Sequence, residues 1–394
     1  MKKIMLITSL SVALFSIDEL PDILSDNKSK IFNYQEQKNQ IESDKLQKSW
    51  ISPVVISYNK NYSEQFISGR VDTGSFSIGI DQPIFKSGGI YFAIKYADAI
   101  RGLNATSIEI QKRAMIGNAL SILYNLKKLA LNQKKLALLV KNDKIDILQK
   151  RDSYDSGLID SSFLDQSILK KNSDEIQLLD IELSIQKLKN DFYLLSDKNP
   201  SSIKLPKLKL IKESRYKGKN LEIVKEKFAV REKSYSSKIT WTKYLPTVSI
   251  QARYTDADPS PMFNNPNLKE AYNSYGFTIS MPISINSLRD IESSKVSYME
   301  AETRLIDKKK DIENEYKLVL KNLVILDKKI SLAKKDEKLY KSLYKSTKNL
   351  QQAGEKTKLD TDLMSNSLKI KKYDQQIYRI DKELQLLSLY IKVH

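Results

Sequence analysis

The sequence predicts a mainly α-helical protein with a small β part, built as a tandem duplication of helix, strand, strand, long helix, turn and helix. Three observations carry that reading. Apolar residues recur at alternating spacings of four and three across long stretches without proline, the pattern of a heptad seam. Four short runs alternate apolar with small polar residues, the period of a strand with one covered face. The order of these elements in the first half returns in the second.

Composition narrows the chemistry. The 394 residues include 11 Gly and 10 Pro, too few for a loop-rich globular chain, so long helices are expected. There is no Cys, which excludes disulfides, thiolate metal sites, thiol catalysis and lipidation of an N-terminal cysteine. The single His is His394, which argues against a histidine-dependent active site. No Gly-rich phosphate loop is present, and the carboxylates and hydroxyls are scattered without a pocket signature. The expectation is a protein that is not an enzyme, with no cofactor and no metal. The net charge of +18 arises from 66 Lys and Arg interspersed with 48 Asp and Glu, which fits a solvated, lysine-rich helix surface better than a nucleic-acid patch.

Residues 1–16 read as a signal peptide. Met1-Lys2-Lys3 precede an apolar run from Ile4 to Phe15, shorter than the about 20 residues a membrane span needs. Cleavage near Ser11-Val12-Ala13 and cleavage near Ser16 both fit. No later stretch is long and apolar enough for a transmembrane helix, so the exported chain is expected to dissolve or to cross a membrane as strands.

The first repeat covers 17–206. An amphipathic helix from about Asp22 to Ser49 stops at Trp50-Ile51-Ser52-Pro53, because proline cannot continue a helix and extends the residue before it. Strands follow at about 52–64 and 70–84. Val54, Ile56, Tyr58 and Tyr62 share one face, with Lys60 as an exception, opposite Val55, Ser57, Asn59 and Asn61. Phe76, Ile78 and Ile80 oppose Ser75, Ser77, Gly79 and Asp81, and the strand ends at Gln82-Pro83. A helical hairpin at about 88–198 reverses at Tyr154-Asp155-Ser156-Gly157-Leu158 and closes at Asn199-Pro200. Residues 201–214 read as an extended connector.

The second repeat covers 207–394. A helix from about Lys219 to Lys243 meets Tyr244-Leu245-Pro246. Strands at about 246–256 and 273–284 place Val248, Ile250, Ala252, Tyr254, Tyr275, Phe277, Ile279 and Met281 on the apolar side. A polar loop, Thr255 to Asn273, joins them. The hairpin at about 286–392 carries the clearest seams. Ile312, Tyr316, Val319, Leu323, Leu326, Ile330, Ala333, Glu337, Tyr340 and Tyr344 lead in; Leu363, Asn366, Ile370, Tyr373, Ile377, Ile380, Leu384, Leu387 and Ile391 lead out. Gly354 supplies the reversal. The interval from second-strand proline to turn glycine is 74 residues in one half, from Pro83 to Gly157, and 72 in the other, from Pro282 to Gly354. At about 1.5 Å per residue, a continuous arm reaches on the order of 100 Å.

Four short strands do not close a membrane barrel, which begins at about eight, and a flat sheet would leave two exposed edges. The apolar face carries Tyr58, Tyr62, Tyr254, Tyr275 and Phe277, residue types suited to a membrane boundary. Several chains sharing one barrel satisfy both conditions, with Trp50, Trp241 and Tyr244 in the inner aromatic girdle. A soluble sheet packed on helices is the other arrangement that such alternation fits.

The order of elements resembles that of the TolC family of outer-membrane efflux and secretion channels, over essentially the whole mature chain. Family halves carry a proline after the second strand and a tip motif Tyr-x-x-Gly, with a small or polar residue three after the glycine and Asp at six. The first tip matches at Tyr154 and Gly157, has Asp160 three on, and departs at Phe163. The second matches at Gly354, Thr357, Leu359 and Asp360, and departs at Gln351, where an aromatic is usual.

The resemblance implies a homotrimer, with three times four strands in one β-barrel and a helical tunnel across the periplasm. It implies a periplasmic adaptor protein and an inner-membrane pump of the RND, ABC or a similar type as partners, with outer-membrane lipid around the barrel and no nucleic acid. By the same resemblance Gly157, Leu158 and Gly354 are adaptor-contact tips, and Tyr154 is a polar link that holds the entrance closed. Asp360 falls at the first position of the family's aspartate ring; the second position is Leu363, with Asp362 beside it. Three symmetry-related carboxylates at a tunnel end repel one another and attract cations. Asp360 fits equally as a first-turn acid favoured by the helix dipole. The expected function is a passive exit duct of a tripartite efflux or type I secretion system. The second reading is an exported coiled-coil structural or adhesin-like protein without channel activity.

Overall fold

The computed structural model describes residues 21, 23–66, 69–258 and 269–394. The signal segment read at 1–16 and the middle of the Thr255–Asn273 loop lie outside the described residues. The elements run α1 Asp26–Gln47, β1 Val55–Phe66, β2 Gly69–Phe85, α2 Gly89–Asp155, α3 Ser161–Tyr193, α4 Glu213–Gly218, α5 Leu221–Thr242, β3 Thr247–Ala257, β4 Ala271–Ser280, α6 Ser287–Gln352 and α7 Lys358–Tyr390. The mainly α fold with four strands, in a repeated order, is therefore as the sequence indicates. Two compact units divide the described residues, one drawn from 32–109 and 221–312, the other from those up to 31, 110–220 and 313–394. No helix among the described residues is long and apolar enough to cross a membrane.

The first of these units holds the sheet. Its order is β1-β2-β3-β4, every neighbouring pair antiparallel, so within the described residues β1 and β4 each bond to one strand only. The registers bring the apolar sides of all four strands to one face. Ile56, Ile78 and Tyr254 form one row across the sheet; Tyr58 stands opposite Phe76, Ala252 opposite Tyr275, Ile250 opposite Phe277 and Val248 opposite Ile279. That face is bare, with Tyr275 79% and Phe277 73% exposed. On the other face Ser57 and Ser77 share a hydrogen bond of 2.8 Å, and the Gln251 amide donates to Asp81.

Two irregularities have local causes. Lys60, on the apolar side, reaches the Asp258 carboxylate at 3.1 Å, and its strand partner Gly74 leaves the room: a Cβ there would stand 2.6 Å from Asp258 Oδ2. Pro83 lies inside the central strand β2 and lacks the N–H that a ladder uses; the register shifts between Pro83 and Phe85. Pro282 does not repeat this. β4 ends at Ser280, not near 284, because β3 begins at Thr247 opposite Ser280 and offers nothing for Met281–Ser284 to pair with.

Three helices of the same unit pack on one another. Asn39 and Ser43 of α1 donate to the carbonyls of Arg101 and Ala97 in α2, and Gln47 donates to Asp98. Gly102 of α2 lies against the Phe228 ring of α5 so closely that a Cβ would stand 2.2 Å from it.

In the second unit, seven-residue periodicity decides much of what is covered. Tyr316, Val319, Leu323 and Ala333 of α6, and Ile370, Ile377, Ile380 and Leu387 of α7, are all buried, as the seams require. The connector differs from a purely extended one. A 3-10 turn at Pro200–Ser202 opens it and α4 begins at Glu213. Between them the chain is pinned: Leu208 N donates to Glu383, Lys209 N to the Tyr390 hydroxyl, and Tyr124 donates to the Pro206 carbonyl. Tyr216 stacks on Tyr316 with ring centroids 5.3 Å apart, and Asn220 bridges to Val393.

The Gly102 contact predicts an inverted helix-propensity effect. Ala in a helix is favoured over Gly by about 1 kcal/mol, but forcing a methyl into a filled site costs about 1–3 kcal/mol. Gly102→Ala should lower the thermal midpoint followed by circular dichroism, whereas Gly218→Ala, with nothing within 4 Å of its Cβ position, should not. A raised midpoint for Gly102→Ala would mean that Phe228 moves aside freely.

Candidate functional site

Both hairpins reverse by one device. Gly157 has φ +72° and Gly354 φ +83°, the left-handed region where side chains are strained. Around Gly157, Leu158 N donates to the Ser153 carbonyl and Gly157 N to that of Tyr154; around Gly354, Glu355 N donates to Leu350 and Gly354 N to Gln351. This paired bond set is the Schellman termination of a helix. A Cβ on either glycine would meet nothing within 4 Å, and Leu158 is 77% exposed, so both tips are open surface.

The residue three after each glycine caps the returning helix. Asp160 accepts from Ser162 N at the start of α3. Thr357 caps α7 in a full capping box: its hydroxyl accepts from Asp360 N, and the Asp360 carboxylate accepts from Thr357 N at 3.0 Å. In the first tip the matching position is Phe163, so no such box forms there. The tip motif is thus a sequence for stopping one helix and starting the next.

Asp360 has a second attachment that sequence reasoning missed. Gln149 of α2 donates to its other carboxylate oxygen at 3.1 Å. This is one rung of a ladder. Lys128 pairs with Asp381 at 2.6 Å, Lys135 with Asp374 at 2.7 Å, Asn142 with Ser367 and Asn366, and Gln149 with Asp360. Residues 128, 135, 142 and 149 on α2, and 381, 374, 367 and 360 on α7, all fall at intervals of seven. A search of the sequence for polar residues at that interval on both helices would have found it.

The remaining candidates are placed as follows. Tyr154 is exposed, and its hydroxyl makes no hydrogen bond among the described residues. Asp362 is exposed one turn into α7. Thr361, between Asp360 and Asp362 in the same turn, is buried and donates to Gln351. In the sheet-bearing unit Trp241 is exposed, Tyr244 donates to Asp290 of α6, and the Trp50 carbonyl accepts from Gln82. Among the described residues no group of acidic and His side chains is placed to hold a metal ion.

Two helices leave apolar stripes bare. On α3, Leu169, Ile176 and Leu183 are more than half exposed; on α6, Leu318, Ile325, Leu332 and Leu339 are too. Both stripes have a spacing of seven. Counted from their own tip glycines, Leu169, Ile176 and Leu183 alternate in height with Leu339, Leu332 and Ile325, and Leu318 extends the α6 stripe one heptad further.

No protein-family model matches the chain, and no curated protein does. Solved structures do. The chain is similar to the outer membrane protein VceC of Vibrio cholerae, at 17% identity and TM-score 0.72 over 92% of each chain. It is similar to the Campylobacter jejuni CmeC outer membrane channel, at 13% identity and TM-score 0.75 over 94% of this chain and 83% of that one. The open state of the Neisseria gonorrhoeae MtrE outer membrane channel matches at 10% identity and TM-score 0.63, over 93% of this chain and 86% of that one. The fold is that of these outer-membrane channels, as the resemblance to the TolC family led one to expect.

Hydrogen bonds from Thr357 N, the Thr357 hydroxyl and Gln149 hold the Asp360 carboxyl below the usual carboxylate range. The stabilisation is therefore present above the unfolded-chain value, near pH 4, and is lost as pH falls through the depressed folded value. Asp360→Ala should fray the first turn of α7 by about 1 kcal/mol, read as faster amide exchange at 358–362. It should also remove the acid sensitivity of that turn; an unchanged acid response would locate the sensitivity elsewhere.

Proposed function

We propose that this chain is the outer-membrane component of a TolC-type export channel, a passive exit duct acting as a homotrimer. Its partners are a periplasmic adaptor and an inner-membrane pump. The observation that carries the reading is the state of the sheet: one bare apolar face, one polar face and, among the described residues, two unpaired edges. In hydrocarbon every backbone N–H and C=O needs a partner, so such a sheet survives in a bilayer only in a closed ring. Because the strands alternate in direction and number four, β4 of one copy runs antiparallel to β1 of the next. Three copies give twelve strands. On β2 the apolar side from Phe76 to Ile84 spans about 26 Å at 3.3 Å per residue, against the about 25 Å band of outer-membrane barrels.

The bare stripes of α3 and α6 are assigned to the same assembly. With one helix running away from its tip and the other toward it, the α3 stripe of one copy fits the α6 stripe of its neighbour as an antiparallel coiled coil. Each copy then brings one Asp360 to the tunnel end, where the three carboxylates repel one another and collect cations. Gln149 is the internal partner that holds each one. Gly157, Leu158 and Gly354 are the surface for the adaptor, and Trp50, Trp241 and Tyr244 the inner girdle.

The deciding experiment is purification from outer-membrane fractions followed by planar-bilayer recording. A detergent-requiring trimer that conducts ions is expected, and a monomer that dissolves without detergent and does not conduct would overturn the reading in favour of an exported structural protein. Ile176→Lys with Ile325→Lys should convert trimers to helical monomers on sizing in detergent. Asp360→Asn should raise single-channel conductance or weaken block by multivalent cations, and Gly354→Leu should abolish export while trimers persist.

A further inference from the structure

About two heptads before Gly157, the seam between α2 and α3 carries charge where it should be apolar. Leu136, Val140 and Asp143 hold successive core positions on α2, and all three are buried. The facing position on α3 is held by Ser167 and Asp174, then continues as Ile181 and Leu188. Asp143 is 92% buried as a side chain, Asp174 85%, and the Lys170 ammonium contacts both. One oxygen of Asp143, Oδ2, is buried without any hydrogen-bond partner. The layer thus holds two carboxylates against one ammonium, leaving one negative charge and one unsatisfied acceptor in a seam.

A buried acceptor without a donor is costly, and so is net charge in a low-dielectric seam. A single proton removes both costs. A protonated Asp143 becomes a donor, and Asp174 is within its hydrogen-bond reach. The charges that act on Asp143 are those of Lys170 and Asp174, both from α3. On α2 itself the next charged layer, Asp146 with Lys150, is closed on itself at 3.3 Å and tied through Ser167. On the far side of α2, helix α7 presents the neutral Asn366 and Ser367 at this level.

We infer that Asp143, Lys170 and Asp174 form a proton-binding clasp between α2 and α3. With the proton bound the layer is neutral and α3 is fastened to α2; without it a buried negative charge loosens the tip-proximal half of α3. Burial, working against Lys170, keeps the Asp143 carboxyl above its ordinary range. The folded hairpin therefore holds the proton more tightly than the unfolded chain does. Its contribution is fully present below the unfolded value, near pH 4, and is lost as pH rises through the raised folded value. This is the opposite sign to Asp360, three residues after Thr357 at the other tip.

Amide exchange on the full-length protein in detergent, corrected for intrinsic chemistry, tests the clasp. Between about pH 4.5 and about pH 8, protection of 139–146 and 166–177 should fall by on the order of tenfold for each unit by which the folded value exceeds the starting pH. Asp143→Asn copies the protonated form and should keep high protection at both ends. Asp174→Asn leaves a neutral Asp143–Lys170 pair, offers its amide to the bare oxygen, and should flatten the profile as well. Either variant keeping the unaltered protein's pH response would overturn the proposal, as would an equal fall along α6 and α7.

Discussion

The register between α2 and α7 is the interaction on which the helical unit depends. The two helices run antiparallel and meet through four polar rungs spaced one heptad apart, from Lys128–Asp381 to Gln149–Asp360. Ion pairs at a half-open surface contribute little each, so the ladder is not a large source of stability. Its effect is selection: a slip of one turn would break all four rungs together. The ladder is also graded. Lys–Asp pairs occupy the end far from the tips, and uncharged Asn142 with Asn366 and Ser367 comes nearer to them. At the tip itself a neutral amide holds a carboxylate. A wedge of force at the tips would therefore meet the least electrostatic resistance where it first acts.

The two tips are chemically unequal although their backbones match. Both use a glycine in the left-handed region and the same pair of terminating bonds. Only the second has an acid three residues after its cap, so only α7 begins with a reciprocal box, while α3 begins with Asp160 alone and an exposed Phe163. Of the two returning helices, α7 starts with a full capping box and is tied to α2; α3 starts with a single cap bond and carries its charge inside the seam.

Much of this was legible in the residues because period and punctuation are local properties. Pro53 and Pro246 mark strand starts, Gly157 and Gly354 mark reversals, and the buried Tyr316, Val319, Leu323, Ile370, Ile377, Ile380 and Leu387 fall on the heptads, while Gln375, Leu386 and Leu389 are buried off them. The strand faces were readable for the same reason, since register preserved alternation across all four strands. What was not legible depended on partners distant in sequence. Nothing near Pro282 says that β4 must stop at Ser280; that follows from where β3 begins. Gln149 looks like any polar helix residue until Asp360, more than two hundred residues later, is brought beside it. Asp143 reads as one of many surface acids, and only the packing of α3 reveals that it occupies a core position.

The order of the sheet has a consequence for how the molecule is made. β2 and β3 are neighbours in space, yet an entire helical hairpin and the connector separate them in sequence, about 160 residues in all. Bringing such distant ends together costs about 4–5 kcal/mol of chain entropy beyond the constant for short loops. The hydrogen bonds that repay it form only after most of the polypeptide has emerged. A β1–β2 ribbon must therefore wait half-finished with an open side, which makes protection of nascent chains, rather than strength of the finished sheet, the step most exposed to failure.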